Sequence, residues 1–538
     1  MVLVANTSRL FAHWRTRAGI QALALALLLG LCATPAAPLQ SGAQEAEERA
    51  NHGLELAQRG DLVGAEGELR QAAKLTPNNP EILGSLGTIL AMQKKLEASA
   101  TVFKQTLKLR PGDLEIRRYL AANLWQLHRF SEAKANLEVL LRQKPDDRQG
   151  RLLMGMVAEN TRDYATAAKM LSSVPEEVRQ RPESMAALAR AYYHLGDEEK
   201  ARGMLAQLSG AQPMLLGAAI ADEMHDYRTA ETMLESLRSQ APGDVNLEFR
   251  LALVQYHAGK VDDAKEILHA AIGAGPATSQ MYNLLGWCSY KRGDSKEAVQ
   301  AFNRAIELAP QEETNYFDLT NMLAANSSFP AALAAIRKAT TALPKSPGLF
   351  EMRGSIEQKV GQFRDAEESY SHALRLDPKR PGSMIGLAES QFSAGSAKES
   401  IATFENALRR FPKDAQVRVS YGAVLLKQAE TGDPRAQQRA EQMFRAALAL
   451  APDSAAAHYQ VGKLVLEKGS VSEAIQQLEK AVNLNPNSAE ARFSLARAYR
   501  RAGKSNEANR EMDIYQKLKS EPRDANPPLQ PMSEPRSH

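Results

Sequence analysis

Residues Ser279 to Glu312 read SQMYNLLGWCSYKRGDSKEAVQAFNRAIELAPQE. In the first half Tyr282, Leu285, Gly286 and Ser289 lie three and four residues apart. After a break at Gly293-Asp294, Ala298, Phe302 and Ala305 keep the same period, and Leu308 and Pro310 close the stretch. This spacing predicts two amphipathic helices folded back on each other. Glycine in the turn supplies the positive φ that ends one helix, and the short polar residue after it suits the start of the next. A lone hairpin cannot bury its apolar faces, so neighbours of the same kind are expected on both sides.

They are there. Counting back from the prolines, units begin near Ala46, Pro80, Leu114, Arg148, Pro182, Ala211, Val245, Ser279, Glu313, Pro347, Pro381, Ala415, Ala455 and Ala489. Most end on a proline, among them Pro77, Pro111, Pro145, Pro242, Pro276, Pro344, Pro378, Pro412, Pro452 and Pro486. The turn recurs as Gly60-Asp61, Gly196-Asp197, Gly259-Lys260, Gly361-Gln362, Gly469-Ser470 and Gly503-Lys504, while Asn326 to Phe329 stands in its place in one unit.

The 34-residue period, the closing proline and the small and aromatic positions resemble the tetratricopeptide repeat family over nearly all of the chain after residue 45. That resemblance implies an all-α fold, a right-handed superhelical solenoid of about fourteen helical hairpins. No long β-branched alternating run argues for a sheet. A solenoid grows by adding units, so the 538 residues need not be several globular domains.

The organisation read from the sequence has six parts. Residues 1–37 form a signal peptide or N-terminal anchor, 46–181 N-terminal units, 182–244 irregular units and 245–414 regular central units. Residues 415–518 are C-terminal units with an insertion near 428–438, placed in an exposed turn, and 519–538 a disordered Pro-rich tail. The irregular part follows from the loss of a regular ending at Ser172 to Pro175 and from a short unit between Pro182 and Gly210.

In the leader, Arg9, Arg15 and Arg17 precede the apolar run Ala18 to Ala33, and Thr34-Pro35 bounds it. A positive flank, a short apolar core and small residues beyond it predict export, with cleavage near Ala37 or Ala43. The destination is the periplasm or the extracellular side of the cell envelope, with uncleaved inner-membrane anchoring as the alternative. Cys32 would leave with the leader, and Cys288 alone cannot make an intramolecular disulfide.

The net charge of +4 falls to about +1 without the three leader arginines, and the charges of both signs are interspersed. No phosphate-binding stripe is evident, which argues against a nucleic-acid partner. The chain carries no P-loop, zinc-protease or nucleophile-elbow motif, and its histidines lack metal-ligand spacing. The expectation is a protein that is not an enzyme and takes no cofactor or metal.

The resemblance further implies a scaffold that binds a peptide or partner helix in a groove lined by first helices. In the family, positions 2, 5, 9, 12 and 13 of each unit face that groove. Here they include Arg118, Trp125, Arg190, Tyr193, His194, Phe249, Tyr256, His257, Asn283, Trp287, Tyr290, Lys291, Phe317 and Asn321. For the large residues late in a first helix two readings stay open, anchors for a partner or core packed against the next unit. The lysine and asparagines of a C-terminal-carboxylate clamp are not found. The function expected is an exported adaptor in a membrane-associated envelope complex. The alternative is a regulatory or substrate-presenting subunit beside a separate glycosyltransferase.

Overall fold

The computed structural model describes residues 39–430 and 434–520, so the predicted leader and most of the predicted tail lie outside the described residues. Among the described residues all regular structure is helical, and the helices come in consecutive antiparallel pairs. The typical pair is a first helix of 13 residues and a second of 14, as in Ser279–Lys291 followed by Ser295–Leu308. From Pro80 to Ala489, every first helix begins on the residue from which its unit was counted. The opening helix is longer, Leu39–Gln58, and starts ahead of Ala46.

Local chemistry sets these boundaries. At the turns Gly60, Gly293, Gly361 and Gly469 adopt φ between +78 and +88°, and Asp61 and Asp294 then cap the following helix by accepting the amide N–H three residues on. Where glycine is absent the turn keeps its geometry, and Lys94, His128, Arg162, His225 and Ser327 are forced to positive φ. Within a pair the helices touch at small residues. A Cβ on Gly286 would lie 2.8 Å from the ring of Phe302, and one on Gly422 2.6 Å from that of Phe444.

The chain divides into two compact units, one ending at Gly259 and the other beginning at Lys260. Within each, most second helices pack on the first helix of the next pair, and most neighbouring first helices also touch. The first helices therefore form a wall in each unit.

Two stretches depart from the typical pair. Between Tyr164 and Leu205 the second helices shrink to 9 and 8 residues, Tyr164–Ser172 and Glu198–Leu205. An additional five-residue helix, Pro175–Arg179, fills the space with buried Val174 and Val178. The insertion near 428–438 is absorbed differently from the expected exposed turn. It lengthens the helices to Ala415–Ala429 and Pro434–Leu450, 15 and 17 residues, because alanine, glutamine and arginine favour helix and Pro434 suits a first position. The last second helix, Ser505–Ser520, likewise carries order to residue 520.

Candidate functional site: the first-helix wall

In the first unit the wall is laced by polar links between successive pairs. Arg118, on the helix Leu114–Gln126, lies 3.2 Å from Asp147, the cap of the next first helix. Arg190, on Pro182–His194, pairs with Glu159 on the preceding first helix and lies 3.5 Å from Glu223 on the following one. His257 Nδ1 lies 2.8 Å from the Asp222 carboxylate. The Tyr193 hydroxyl donates to Asp226 at 2.8 Å, and Arg202 reaches the same oxygen at 2.6 Å. Burial and then the Asp226 hydrogen bond push the Tyr193 phenol above its ordinary range. Burial opposes the charge on Asp226, but Arg202, Tyr193 and Thr229 outweigh it and hold that carboxyl below the usual range.

In the second unit the links are buried amides. Asn283 donates to Asn315 Oδ1 at 3.1 Å and to Asp318 Oδ2 at 2.9 Å, and Asn315 donates to Ser279 Oγ at 2.8 Å. Trp287 is 1% exposed, with its ring 5.6 Å from Phe302 and 6.0 Å from Tyr290.

The fourteen positions expected to face a partner therefore divide. Tyr193, Tyr256, Asn283 and Trp287 are buried. The expectation that these four offer surface is corrected: packing and hydrogen bonds enclose them, Tyr193 bonding Asp226, Asn283 bonding Asn315 and Asp318, and Trp287 lying against Phe302. Arg118, Trp125, Arg190, Phe249, His257, Tyr290, Phe317 and Asn321 are half-buried, and His194 and Lys291 are exposed. His194 stacks on Tyr164 with centroids 3.9 Å apart. The rings still presented are thus Trp125 and Phe249 in one unit and Tyr290 and Phe317 in the other.

Sequence reasoning stopped at the ninth pair, although the same positions continue to the end. Tyr459 and Phe493 share one position, and Lys463 and Arg497 another. Extending the family register would have found them. The buried Asn315 and Asp318 carried no such signal, because their burial depends on the neighbouring helix.

The wall offers hydrogen-bonding and apolar groups. Burial pushes the Cys288 thiol up to about 12, which keeps it protonated and inert at neutral pH. Among the described residues no group of three or more metal-ligating side chains converges, and no helix is long and apolar enough to cross a membrane.

Fold and wall together define an α-helical repeat scaffold of the protein-interaction kind. Family models described as tetratricopeptide repeat match residues 51–113, 249–313 and 351–415, and also 90–157, and one described as TPR repeat matches 462–503. The chain belongs to the tetratricopeptide repeat family. It is 21% identical over 242 residues to anaphase-promoting complex subunit 3 of Schizosaccharomyces pombe, a match covering 45% of this chain and 36% of that one. It is 23% identical over 346 residues to cellulose synthase operon protein C of Pseudomonas fluorescens, covering 60% of this chain and 27% of the relative. The chain thus spans well under half the length of these two curated relatives. Among solved structures it is similar to yeast Tom70, at 18% identity and TM-score 0.41, covering 88% of this chain and 92% of that one.

Proposed function

We propose that this chain is a non-catalytic adaptor of the cell envelope that holds an extended segment or a helix of a partner protein along its first-helix wall. The observation that carries the reading is the recurrence of half-buried rings at two positions of the first helices, Phe249 and Phe317 at the fifth and Trp125 and Tyr290 at the twelfth, with the hydrogen-bonding Asn321 one turn beyond Phe317. Rings of this kind bury much area at small entropic cost, and a partner lying along them is fixed in register by the amides and charges between. Capture of partners from membrane extracts on the purified chain tests it. Phe249→Ala and Phe317→Ala are then expected to weaken a captured partner by about 1–3 kcal/mol with the fold intact. Unchanged affinity in both would remove the wall from the binding site.

Export to the periplasm or the extracellular face is part of the same proposal and rests on the arginine-flanked apolar run Ala18 to Ala33. Intact-mass measurement of the native protein should give a mature N-terminus between Ala33 and Gln44. A chain still beginning at Met1 and retained in membranes would favour the anchored alternative.

A second reading, a regulatory or substrate-presenting subunit beside a separate glycosyltransferase, is favoured by one observation. Bacterial relatives from Pseudomonas fluorescens and Komagataeibacter xylinus carry the name cellulose synthase operon protein C or cellulose synthase 1 operon protein C. A glycosyltransferase recovered as the main captured partner would select this reading.

A further inference from the structure

The last two described first helices, Ala455–Glu467 and Ala489–Arg501, carry corresponding ring and cation positions one period apart, half-buried on the first and exposed on the second. Tyr459 and Lys463 on the first correspond to Phe493 and Arg497 on the second. On the second helix Phe493, Arg497 and Arg500 follow at steps of four and three, which puts them on one face. Phe493 is 38% exposed and rests on Tyr515, with centroids 5.2 Å apart. The two helices are tied at one end, where Arg501 Nη1 donates to the Leu466 carbonyl at 2.6 Å.

Some neighbouring cations are held by carboxylates. Arg445 lies 2.7 Å from Glu473, Lys468 pairs with Glu441, and Arg492 lies 2.7 Å from Glu511. Among the described residues, by contrast, no carboxylate pairs with Lys463, Arg497 or Arg500. Three cations without a carboxylate partner and two rings thus lie on two adjoining first helices. The cost of gathering like charges is offset when an anionic ligand covers them.

We propose that this stripe binds an acidic, extended polypeptide segment of a partner protein, with separated Asp or Glu carboxylates on Lys463, Arg497 and Arg500 and apolar side chains on Tyr459 and Phe493. The inference rests on the scaffold reading and gives its partner a chemistry. A polypeptide suits the stripe better than a nucleic acid because Glu467 and Glu490 are exposed on the same two helices. They would repel a continuous phosphate backbone, whereas a peptide can place neutral residues opposite them.

The test uses the full chain and a fluorescein-labelled twelve-residue peptide with glutamate at every third position on an alanine, serine and leucine background. The controls are its glutamine counterpart and a single-stranded oligonucleotide of equal length. The glutamate peptide should bind at least about tenfold more tightly than the glutamine peptide, and the difference should shrink with salt. The double variant Lys463→Glu, Arg497→Glu should abolish that preference. Lys480→Glu, on the second helix Val471–Leu484, should leave it unchanged, as should the melting curves of both variants. Equal binding of the two peptides, loss of preference with Lys480→Glu, or tighter binding of the oligonucleotide would each overturn the proposal. Suppose a partner captured from membrane extract releases on Phe317→Ala but binds the double variant like the parent. The scaffold reading then stands and the acidic-segment assignment falls.

Discussion

The ring of Phe302 occupies the space that a side chain on Gly286 would need, its nearest carbon 2.8 Å from where a Cβ would lie. The first and second helices of that pair touch through this contact, with Phe302 fully buried and Trp287 edge-on to it at 5.6 Å. Gly286→Ala must therefore push Phe302 out of a closely packed position, and a loss of about 1–3 kcal/mol is expected. Gly67, in the helix Leu62–Leu75, has nothing within 4 Å of its Cβ direction. Gly67→Ala should instead gain about 0.5–1 kcal/mol from helix propensity and a less flexible unfolded chain. Chemical denaturation of the two variants checks the opposite signs.

Tyr256 and Trp287 were open to two readings in the sequence, and their burial, 3% and 1% exposed, assigns them to the packing. Trp287→Ala should cost about 3–5 kcal/mol and weaken partner binding only through unfolding. Among the described residues the Trp287 indole N–H has no hydrogen-bond partner, so Trp287→Phe forfeits no hydrogen bond and should cost clearly less. Melting curves with partner titrations on the folded fraction separate the effects. Unaltered melting of Trp287→Ala would return the ring to the surface.

The fold was legible because its determinants are local. Gly293-Asp294 fixes a turn, Pro310 ends a unit, and the pairing of Gly286 with Phe302 recurs as Gly422 with Phe444. What a first-helix side chain does, however, depends on the next unit along. Trp287 and Tyr290 both came from the family register, yet one is enclosed and the other half-exposed. The periodicity of a single helix does not contain that difference. Helix Pro175–Arg179 was missed for a similar reason: five residues are too few to show a period.

The turns without glycine carry strain that can be relieved. Lys94 is exposed at φ 61° and Ser327 at φ 56°, in the place that Gly293 fills at φ 81°. An L-residue in this conformation brings its Cβ against the backbone, while glycine adopts it freely at the cost of a more flexible unfolded chain. Lys94→Gly and Ser327→Gly should each stabilise by about 0.5–1 kcal/mol, and Gly293→Ala should do the reverse. Denaturant midpoints give the sign directly, and a destabilised Ser327→Gly would mean that the serine side chain holds the turn.

Glu389 is half-buried on the helix Pro381–Ser393, and burial holds its carboxyl above the usual range, with Ser420 and Lys427 pulling the other way. A carboxyl raised on folding binds its proton more tightly in the native state. Its stabilising contribution is full below the unfolded carboxyl value, about 4.3, and is lost as pH rises through the higher native one. Glu389→Gln, permanently neutral, should therefore melt higher than the parent at pH 7 to 8, with the gap closing toward pH 4. A gap that widens on acidification would show that the charged form is the favoured one.

The stretch 172–242 should open before the regular pairs 279–410. Stability in a stack is the sum of each pair and its contacts with its neighbours, and here both are reduced. The second helices Tyr164–Ser172 and Glu198–Leu205 have 9 and 8 residues against the usual 14. Elsewhere a second helix packs on the first helix that follows, but Glu198–Leu205 scarcely touches Ala211–Glu223. The junction relies instead on Asp226, which gathers the Tyr193 hydroxyl and the Arg202 guanidinium. Hydrogen exchange should show amides of 182–205 exchanging faster than those of 279–308. Asp226→Ala leaves the buried Tyr193 hydroxyl without its acceptor and removes the cap of Tyr227–Gln240. It should therefore cost about 2–4 kcal/mol and accelerate exchange in 182–240 more than elsewhere. Equal protection of the two regions in the parent protein would mean that the short helix Pro175–Arg179 and the Asp226 junction fully replace the missing turns.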